Sequence, residues 1–126
     1  MNKSKYLIHV ESSAEFIADQ SSPEEGRFVF AYQIRIENQG AMPAKLISRH
    51  WLITDAEGRV QEVRGVGVIG EQPLIAPGES FEYTSGCSIA TPVGTMRGAY
   101  QMTAEDGTDF DADIPEFMLS GPRVLH

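Results

Sequence analysis

The sequence is short of several residue types, and each shortage excludes a class of protein. Cys87 is the one cysteine in 126 residues, so no intrachain disulfide can form, which fits a reducing compartment. No apolar run approaches the about 18 residues that a membrane-spanning helix needs. After Lys3 and Lys5 the apolar stretch is only Tyr6-Leu7-Ile8, which is too short for the apolar part of a secretory signal. We therefore expect a cytoplasmic protein.

Basic residues are also scarce. Ten Lys and Arg residues stand against eighteen Asp and Glu residues, which gives a formal net charge of -8, and no three basic residues are adjacent. Nucleic-acid binding depends on basic side chains that displace counterions from phosphates. We therefore expect neither nucleic acid nor an anionic membrane as a partner. A basic protein, or a local cation site, stays open.

The rest of the composition is typical of a folded domain, with 41% hydrophobic and 22% charged residues. A chain of 126 residues lies near the commonest domain size. We expect one domain over residues 1–126, with one ordinary hydrophobic core and no need of a metal or a disulfide.

Alternation of apolar and polar residues predicts β-strands along the chain. From residue 28 to residue 36 the even positions are aromatic or branched apolar, whereas the odd positions become polar at Gln33 and Arg35. This period of two places one face in a core and the other in water. Similar segments recur between glycine and proline turns, and the predicted strands are 6–11, 28–36, 44–54, 59–68, 80–85, 95–102 and 109–119.

Seven short strands without convincing helix caps predict an all-β fold, namely an immunoglobulin- or fibronectin type III-like β-sandwich of about seven antiparallel strands. An orthogonal barrel is the alternative. Residues 12–26 are predicted to be a polar connection, and residues 55–58 a hairpin turn closed by glycine. In the strand that follows, the apolar positions change parity between Val63 and Val66, which predicts a β-bulge near the glycines.

Three glycines match the G-x-G-x-x-G pattern of nucleotide-binding loops: Gly65, Gly67 and Gly70. That pattern binds a pyrophosphate when a helix begins at the loop, but Pro73 and Pro77 follow too closely for such a helix. The loop could still form an anion-binding nest from its backbone amides, with Arg59 and Arg64 nearby. The alternative is a bulged strand that another backbone approaches closely. The candidate pyrophosphate-binding residues are therefore Gly65, Gly67, Gly70 and Arg64.

Three carboxylates alternate with apolar residues on the last predicted strand: Asp109, Asp111 and Asp113. Next-but-one residues on a strand lie about 6.6–6.8 Å apart, too far for two of them to hold one ion without other ligands. We interpret the row as charge that keeps an edge strand soluble, and retain it as the candidate if a metal binds. His9, His50 and His126 are dispersed, so no metal site is expected. Cys87 has no adjacent histidine to activate it, and we expect neither an enzyme nor a cofactor.

From Arg49 onward the sequence resembles the ApaG family of small bacterial proteins. The residues that carry the resemblance are Arg49-His50-Trp51, Asp55, Gly58, the run from Val63 to Pro73, the run from Pro77 to Gly86, Thr91-Pro92, Gly94-Thr95-Met96, Gly98 and Tyr100, with Pro23-Glu24-Glu25 and Asn38-Gln39-Gly40 before them. The match spans most of the chain. Ile69 stands where the family usually has valine.

The resemblance implies a fibronectin type III-like sandwich and a family with no established enzymatic activity. Bacterial members are associated genetically with cobalt and magnesium tolerance or efflux, and are encoded near a diadenosine-tetraphosphate hydrolase. In eukaryotes a similar domain is appended to F-box and polymerase-interacting proteins, where protein–protein binding is the expected role. The glycine motif, here Gly65, Gly67 and Gly70, is a proposed pyrophosphate site of the family.

Two hypotheses for the function follow. The first is a non-catalytic protein-interaction module that uses an exposed sheet edge or an apolar loop as its contact surface. Its protein partner is unidentified, and a homodimer is possible. The alternative is a ligand-binding protein for a pyrophosphate-containing nucleotide, such as diadenosine tetraphosphate, or for a divalent cation.

Overall fold

The computed structural model describes residues 4–122 of the chain. The strands are β1 (Ile8–Phe16), β2 (Phe28–Asn38), β3 (Ala44–Asp55), β4 (Val60–Val66), β5 (Leu74–Ile75), β6 (Ser80–Ile89), β7 (Val93–Ala104) and β8 (Asp109–Ser120). Two short 3-10 turns, Ala18–Gln20 and Pro23–Glu25, lie between β1 and β2. Within residues 4–122, no helix has the length and apolar character required to cross a membrane.

The strands form two antiparallel sheets that pack face to face. One sheet has the order β1-β2-β6, and the other has the order β4-β3-β7-β8, with β5 paired to β3. The chain passes from one sheet to the other between β2 and β3, between β5 and β6, and between β6 and β7. The predicted sandwich of the immunoglobulin and fibronectin type III class is confirmed. Seven of the strands are long, and β5 adds a two-residue strand that the sequence pattern did not predict.

The core lies between the two sheets and follows the predicted alternation. In β2 the even positions from Phe28 to Asn38 are buried, with Phe30 and Ile36 fully enclosed. The second sheet contributes Trp51 and Tyr100, whose rings meet at 84° with centroids 6.3 Å apart. Burying each large apolar side chain stabilises the fold by about 1.5–3 kcal/mol.

The first strand is longer than predicted. β1 continues to Phe16 and pairs with β2 as far as Phe30, so the prediction of a polar connection from residue 12 was wrong at its start. Ser12 and Ala14 occupy partly buried positions on the inner side. Because serine and alanine carry little apolar signal, the period of two is hidden in the sequence, and pairing with β2 decides the conformation.

The parity change in β4 has a different cause from the predicted one. The register between β3 and β4 runs from Ser48 opposite Val66 to Thr54 opposite Val60 without a shift. The predicted bulge within this strand was therefore wrong. The parity changes because Val60 and Val66 are exposed on the outer face of the sheet, where apolar residues are not expected.

Candidate functional site

β4 is an edge strand of the five-stranded sheet, and every one of its residues is exposed or partly exposed. Trp51 and Ile53 of β3 are buried and lie opposite Val63 and Gln61. Residues that face each other across a ladder share a face of the sheet. The odd positions of β4 therefore face the space between the sheets, and the even positions face outward.

The backbone groups of β4 also alternate in direction. At one end of the strand, Asp55 N donates to Arg59 O at 3.0 Å, and at the other end Gly67 N donates to Ile47 O at 2.8 Å. In an antiparallel ladder, every second residue exchanges hydrogen bonds with a given neighbour. The odd-numbered residues of β4 therefore bond to β3. The N–H and C=O groups of residues 60, 62, 64 and 66 point away from the sheet.

Large apolar side chains gather on this side of the molecule. Of the eight exposed large apolar residues within residues 4–122, five lie on β4, β5 or the loop that joins them. We call this set the apolar edge: Val60, Val63, Val66, Ile69 and Leu74. Val66 is 73% exposed and Leu74 is 64% exposed. Native edge strands usually carry charge or proline that discourages pairing with other chains, and β4 combines its two charges, Glu62 and Arg64, with three valines.

The loop from Gly67 to Gln72 is a tight hairpin, which we call the glycine hairpin. β4 and β5 both pair with β3, and the hairpin joins them. Val68 N donates to Glu71 O at 2.8 Å, and Glu71 N donates to Val68 O at 2.9 Å. The two central residues, Ile69 and Gly70, have φ of 42° and 78°. This is the geometry of a type I′ turn, in which both central residues adopt positive φ.

The local structure explains why glycine is required at each of the three motif positions. Gly67 has φ of 62°, and a Cβ atom there would lie 2.2 Å from Glu71 O. Gly70 has positive φ with open space around it, as the second central residue of the turn. A Cβ at Gly65 would meet the Arg49 guanidinium at 2.6–2.7 Å. The glycines therefore permit a close backbone approach, a turn and the packing of an arginine.

Arg49 is the residue of this site that the sequence patterns did not identify. Its guanidinium lies over Gly65, and its Nη1 donates to Gly67 O at 2.8 Å and to Val66 O at 3.2 Å. Arg49 has the same parity as Trp51 on β3, and the residue opposite it on β4 is a glycine. That combination of an inward arginine and a facing glycine is the signal that could have found it.

The predicted pyrophosphate residues are close in sequence, but their functional groups are not gathered at one point. Arg64 points to the outer face, where its Nη2 is 3.4 Å from Glu62 Oε2. Arg59 binds Asp55 at the far end of β4, with Nε 2.8 Å from Oδ2. The amides of Gly67, Val68 and Glu71 already donate to backbone carbonyls. No helix follows Gly70 within the described part of the chain.

The outer face of β4 carries a small charged cluster. His50 Nε2 lies 2.7 Å from Glu62 Oε2. The hydrogen bond to His50, together with the nearby Arg64 guanidinium, holds the pKa of Glu62 below its ordinary value. Glu62 is therefore a carboxylate at neutral pH, with Arg64 beside it on the same strand.

The predicted acidic row lies on the opposite edge of the same sheet. β8 is an edge strand, and Asp109, Asp111 and Asp113 are exposed on it. Thr103 Oγ1 donates to Asp109 Oδ1 at 2.7 Å. Among residues 4–122, no group of three or more His, Cys, Asp or Glu residues has the arrangement to hold a metal ion. His126 lies outside the described residues.

A cavity of about 250 Å³ opens between β4 and β6, at the side where the two sheets separate. Gln61 Nε2 reaches across it and donates to Ser88 O at 3.0 Å. Burial raises the pKa of Tyr32, and it raises the pKa of Cys87 to about 11. The thiol of Cys87 is therefore protonated at neutral pH, which is the opposite of an activated nucleophile.

The comparisons with known proteins agree with this architecture. A family model described as the ApaG domain matches residues 18–104. The chain belongs to the ApaG family. A relative named Protein ApaG from Aromatoleum aromaticum is 65% identical over 122 residues, covering 97% of this chain and 96% of the relative. Another from an Azoarcus species is 61% identical over 127 residues, covering 100% of each.

A solved structure from Bordetella pertussis, described as an ApaA protein, superposes with a TM-score of 0.92 at 53% identity, covering 97% of this chain and 99% of that one. The resemblance to the ApaG family is thus confirmed, and the sandwich is the fold of a close structural neighbour. The names of these ApaG relatives state no enzymatic activity.

Proposed function

We propose that this ApaG protein is a non-catalytic protein-interaction module and that the apolar edge is its contact surface. The observation that carries the proposal is the coincidence of two features at one edge of the sheet. Five exposed large apolar side chains lie on β4, β5 and the glycine hairpin, and the even-numbered backbone groups of β4 point away from the sheet. Main-chain hydrogen bonds at a sheet edge give affinity, and side-chain contacts give specificity.

The conformation of Ile69 supports the same proposal. Ile69 is the tip of the glycine hairpin, has φ of 42° and is 54% exposed. A β-branched residue is disfavoured at positive φ, where asparagine or glycine is accepted readily. Holding such a residue costs about 1–3 kcal/mol. An exposed isoleucine in this place stabilises neither the turn nor the core, which is expected of a side chain that serves contact with another molecule.

The test is a capture experiment with matched variants. The full chain is immobilised at near-physiological salt, exposed to bacterial lysate, and compared with Ile69→Asn, Leu74→Ser and Met118→Ser. Met118 is the control because it is 59% exposed on β8, away from the apolar edge. We expect partners bound by the wild type to be lost from the first two variants and kept by Met118→Ser.

Urea unfolding of the same variants separates binding from stability. Ile69→Asn removes a β-branched residue from positive φ, so we expect its free energy of unfolding to rise by about 1 kcal/mol. A variant that is more stable yet binds less has lost a contact, not its fold. Equal capture by wild type, Ile69→Asn and Leu74→Ser would contradict the proposal.

If this protein affects cobalt and magnesium tolerance, as the family resemblance implies, we propose that it does so through the protein that it binds.

The alternative of a pyrophosphate or cation site on Gly65, Gly67, Gly70 and Arg64, or on the Asp109 row, stays a prediction of the sequence. The geometry does not favour it over the contact surface, because three amides of the glycine hairpin already donate to backbone carbonyls.

A further inference from the structure

We propose that the β4 edge binds a second copy of this chain, with the two β4 strands antiparallel about a two-fold axis at Val63. The two five-stranded sheets would then form one continuous sheet across the dimer. This inference rests on the proposed function, since it names the occupant of one part of the apolar edge, residues 60 to 66. The glycine hairpin and Leu74 lie beyond that strand.

The direction of the backbone groups restricts how two such strands can pair. The even-numbered residues of β4 direct their N–H and C=O groups outward, as the hydrogen bonds at Arg59 and Gly67 establish. In an antiparallel ladder, residues that exchange hydrogen bonds must lie directly opposite one another. Even residues of one copy must therefore face even residues of the other. The registers that pair at least three of the four even residues of β4 have their two-fold axis at residue 62, 63 or 64.

The charges select one of these three registers. An axis at Glu62 would place Glu62 opposite Glu62 of the other copy, and an axis at Arg64 would place Arg64 opposite Arg64. Like charges directly opposite each other are destabilising, and opposite charges are favourable. With the axis at Val63, Glu62 faces Arg64 of the other copy, twice by symmetry. A parallel, in-register arrangement would again pair like charges.

The apolar residues fit the same register. With the axis at Val63, Val60 faces Val66 of the other copy on the outer side of the sheet. Val63 faces Val63 across the axis on the inner side. Val60 and Val66 are 58% and 73% exposed, so pairing would cover apolar surface that the single chain leaves in water. The segment is thus self-complementary in hydrogen bonds, charge and hydrophobicity, as an isologous interface requires.

Two existing contacts are compatible with this pairing. Val66 O already accepts from Arg49 Nη1 at 3.2 Å, but a carbonyl oxygen has two lone pairs and can accept a second donor. Glu62 contacts His50 through Oε2 at 2.7 Å, and its Oε1 has no partner of its own among the hydrogen bonds and ion pairs of residues 4–122. Arg64 lies only 3.4 Å from Glu62, so both charges are already placed on the outer face.

The experiment is sedimentation equilibrium of the full chain and charge variants at low ionic strength, over protein concentrations up to about 1 mM. We expect reversible dimers for the wild type. Glu62→Arg and Arg64→Glu each place like charges opposite each other, and each should raise the dissociation constant at least about tenfold. The double variant E62R/R64E restores opposite charges and should restore the dimer.

Mixing the two single charge variants gives the most specific test of the proposed register. Glu62→Arg carries two basic residues on β4, and Arg64→Glu carries two acidic ones, so an equimolar mixture should form a heterodimer that neither variant forms alone as a homodimer. Arg97→Glu is the matched control, because Arg97 lies on the outer face of the interior strand β7. It changes the net charge as Arg64→Glu does and should leave the dimer intact.

The inference is overturned if the wild type stays monomeric up to about 1 mM, if Arg97→Glu dissociates the dimer as strongly as Arg64→Glu, or if the mixed variants remain monomers. Circular dichroism and thermal melts confirm that each variant is folded. If the chain does not self-associate but still captures a partner in a way that depends on Ile69, this inference is wrong and the proposed function stands.

Discussion

Asp55 closes the hairpin between β3 and β4 through three hydrogen bonds. Its Oδ1 accepts from Glu57 N at 2.9 Å and from Arg59 N at 3.0 Å, and its Oδ2 accepts from Arg59 Nε at 2.8 Å. The bond from the Arg59 side chain, followed by the backbone bonds, holds the pKa of Asp55 below its ordinary value. Because the carboxylate fixes the turn, it also fixes where the edge strand β4 begins.

The lowered pKa predicts a pH-dependent stability. A group whose pKa is lower in the folded state stabilises the fold above its unfolded pKa, about 3.9 for aspartate, and the stabilisation is lost as the pH falls through the lowered value. We expect Asp55→Asn to lower the midpoint of thermal unfolding at pH 7, and the difference from the wild type to shrink toward pH 2.

Asp111→Asn is the control for that measurement, because Asp111 is exposed on β8. It should change the midpoint little at either pH. A difference between wild type and Asp55→Asn that stays constant from pH 7 to pH 2 would show that the contribution of Asp55 does not depend on its charge.

The glycine hairpin shows how a nucleotide-binding pattern can arise from turn chemistry. The type I′ turn requires positive φ at residues 69 and 70, and the return of the chain brings Glu71 O close to the Cα of Gly67. The spacing of the glycines follows from where β4 ends and β5 begins. A G-x-G-x-x-G match without a following helix is therefore explained by a hairpin between two collinear strands.

Two glycine substitutions distinguish crowding from backbone strain in this hairpin. Gly70→Ala places a side chain at positive φ in open space, so we expect a loss of about 1 kcal/mol in the free energy of unfolding. Gly67→Ala adds a contact with Glu71 O to the same strain, and we expect a loss of more than about 2 kcal/mol. Urea unfolding measures both. Equal losses for the two variants would contradict the geometry at Gly67.

The two edge strands β4 and β8 of the larger sheet differ in the side chains that they carry. β8 carries Asp109, Asp111 and Asp113 together with Pro115, and both charge and proline discourage pairing with other chains. β4 exposes three valines and balances one acidic residue with one basic residue. Within one sheet, β8 therefore carries the features that discourage pairing with other chains, and β4 carries fewer of them.

The two sheets are joined inside the core by a hydroxyl pair. Tyr83 of β6 and Tyr100 of β7 lie with their hydroxyl oxygens 2.6 Å apart, fully enclosed by the sandwich. Burial raises the pKa of both tyrosines, so both hydroxyls are neutral at physiological pH and one donates to the other. The pair connects the sheet that contains β6 to the sheet that contains β4.

Removing one hydroxyl should weaken the whole sandwich. Tyr100→Phe leaves the Tyr83 hydroxyl buried without its partner, and we expect a loss of about 1–3 kcal/mol in the free energy of unfolding. Since the sheets share one core, urea unfolding should remain a single transition with an unchanged slope. Two separate transitions would show that the sheets unfold independently. The double variant Tyr83→Phe/Tyr100→Phe removes both polar groups and should recover part of the loss.

Much of this architecture can be predicted from the local pattern of residues along the chain. The alternation around Phe30 and Tyr32 predicts a half-buried strand, and Pro73, Pro77 and Gly58 mark turns, because side-chain period and backbone restrictions act over a few residues. These signals suffice for the all-β class and for most of the strands. They fail at Ser12 and Ala14, whose small side chains give no apolar period.

The apolar edge could be recognised only from the tertiary structure. Sequence pattern alone cannot assign Val60 and Val66 to solvent, because an apolar residue on a strand is expected to face the core. Only the order of the sheet shows that, within residues 4–122, β4 has no neighbouring strand on one side. Only the register with β3 shows which of its backbone groups point outward. The residues by themselves determined that strands form and where they turn, since those preferences are local. Which strand is left at the edge was decided by packing between residues far apart in the chain.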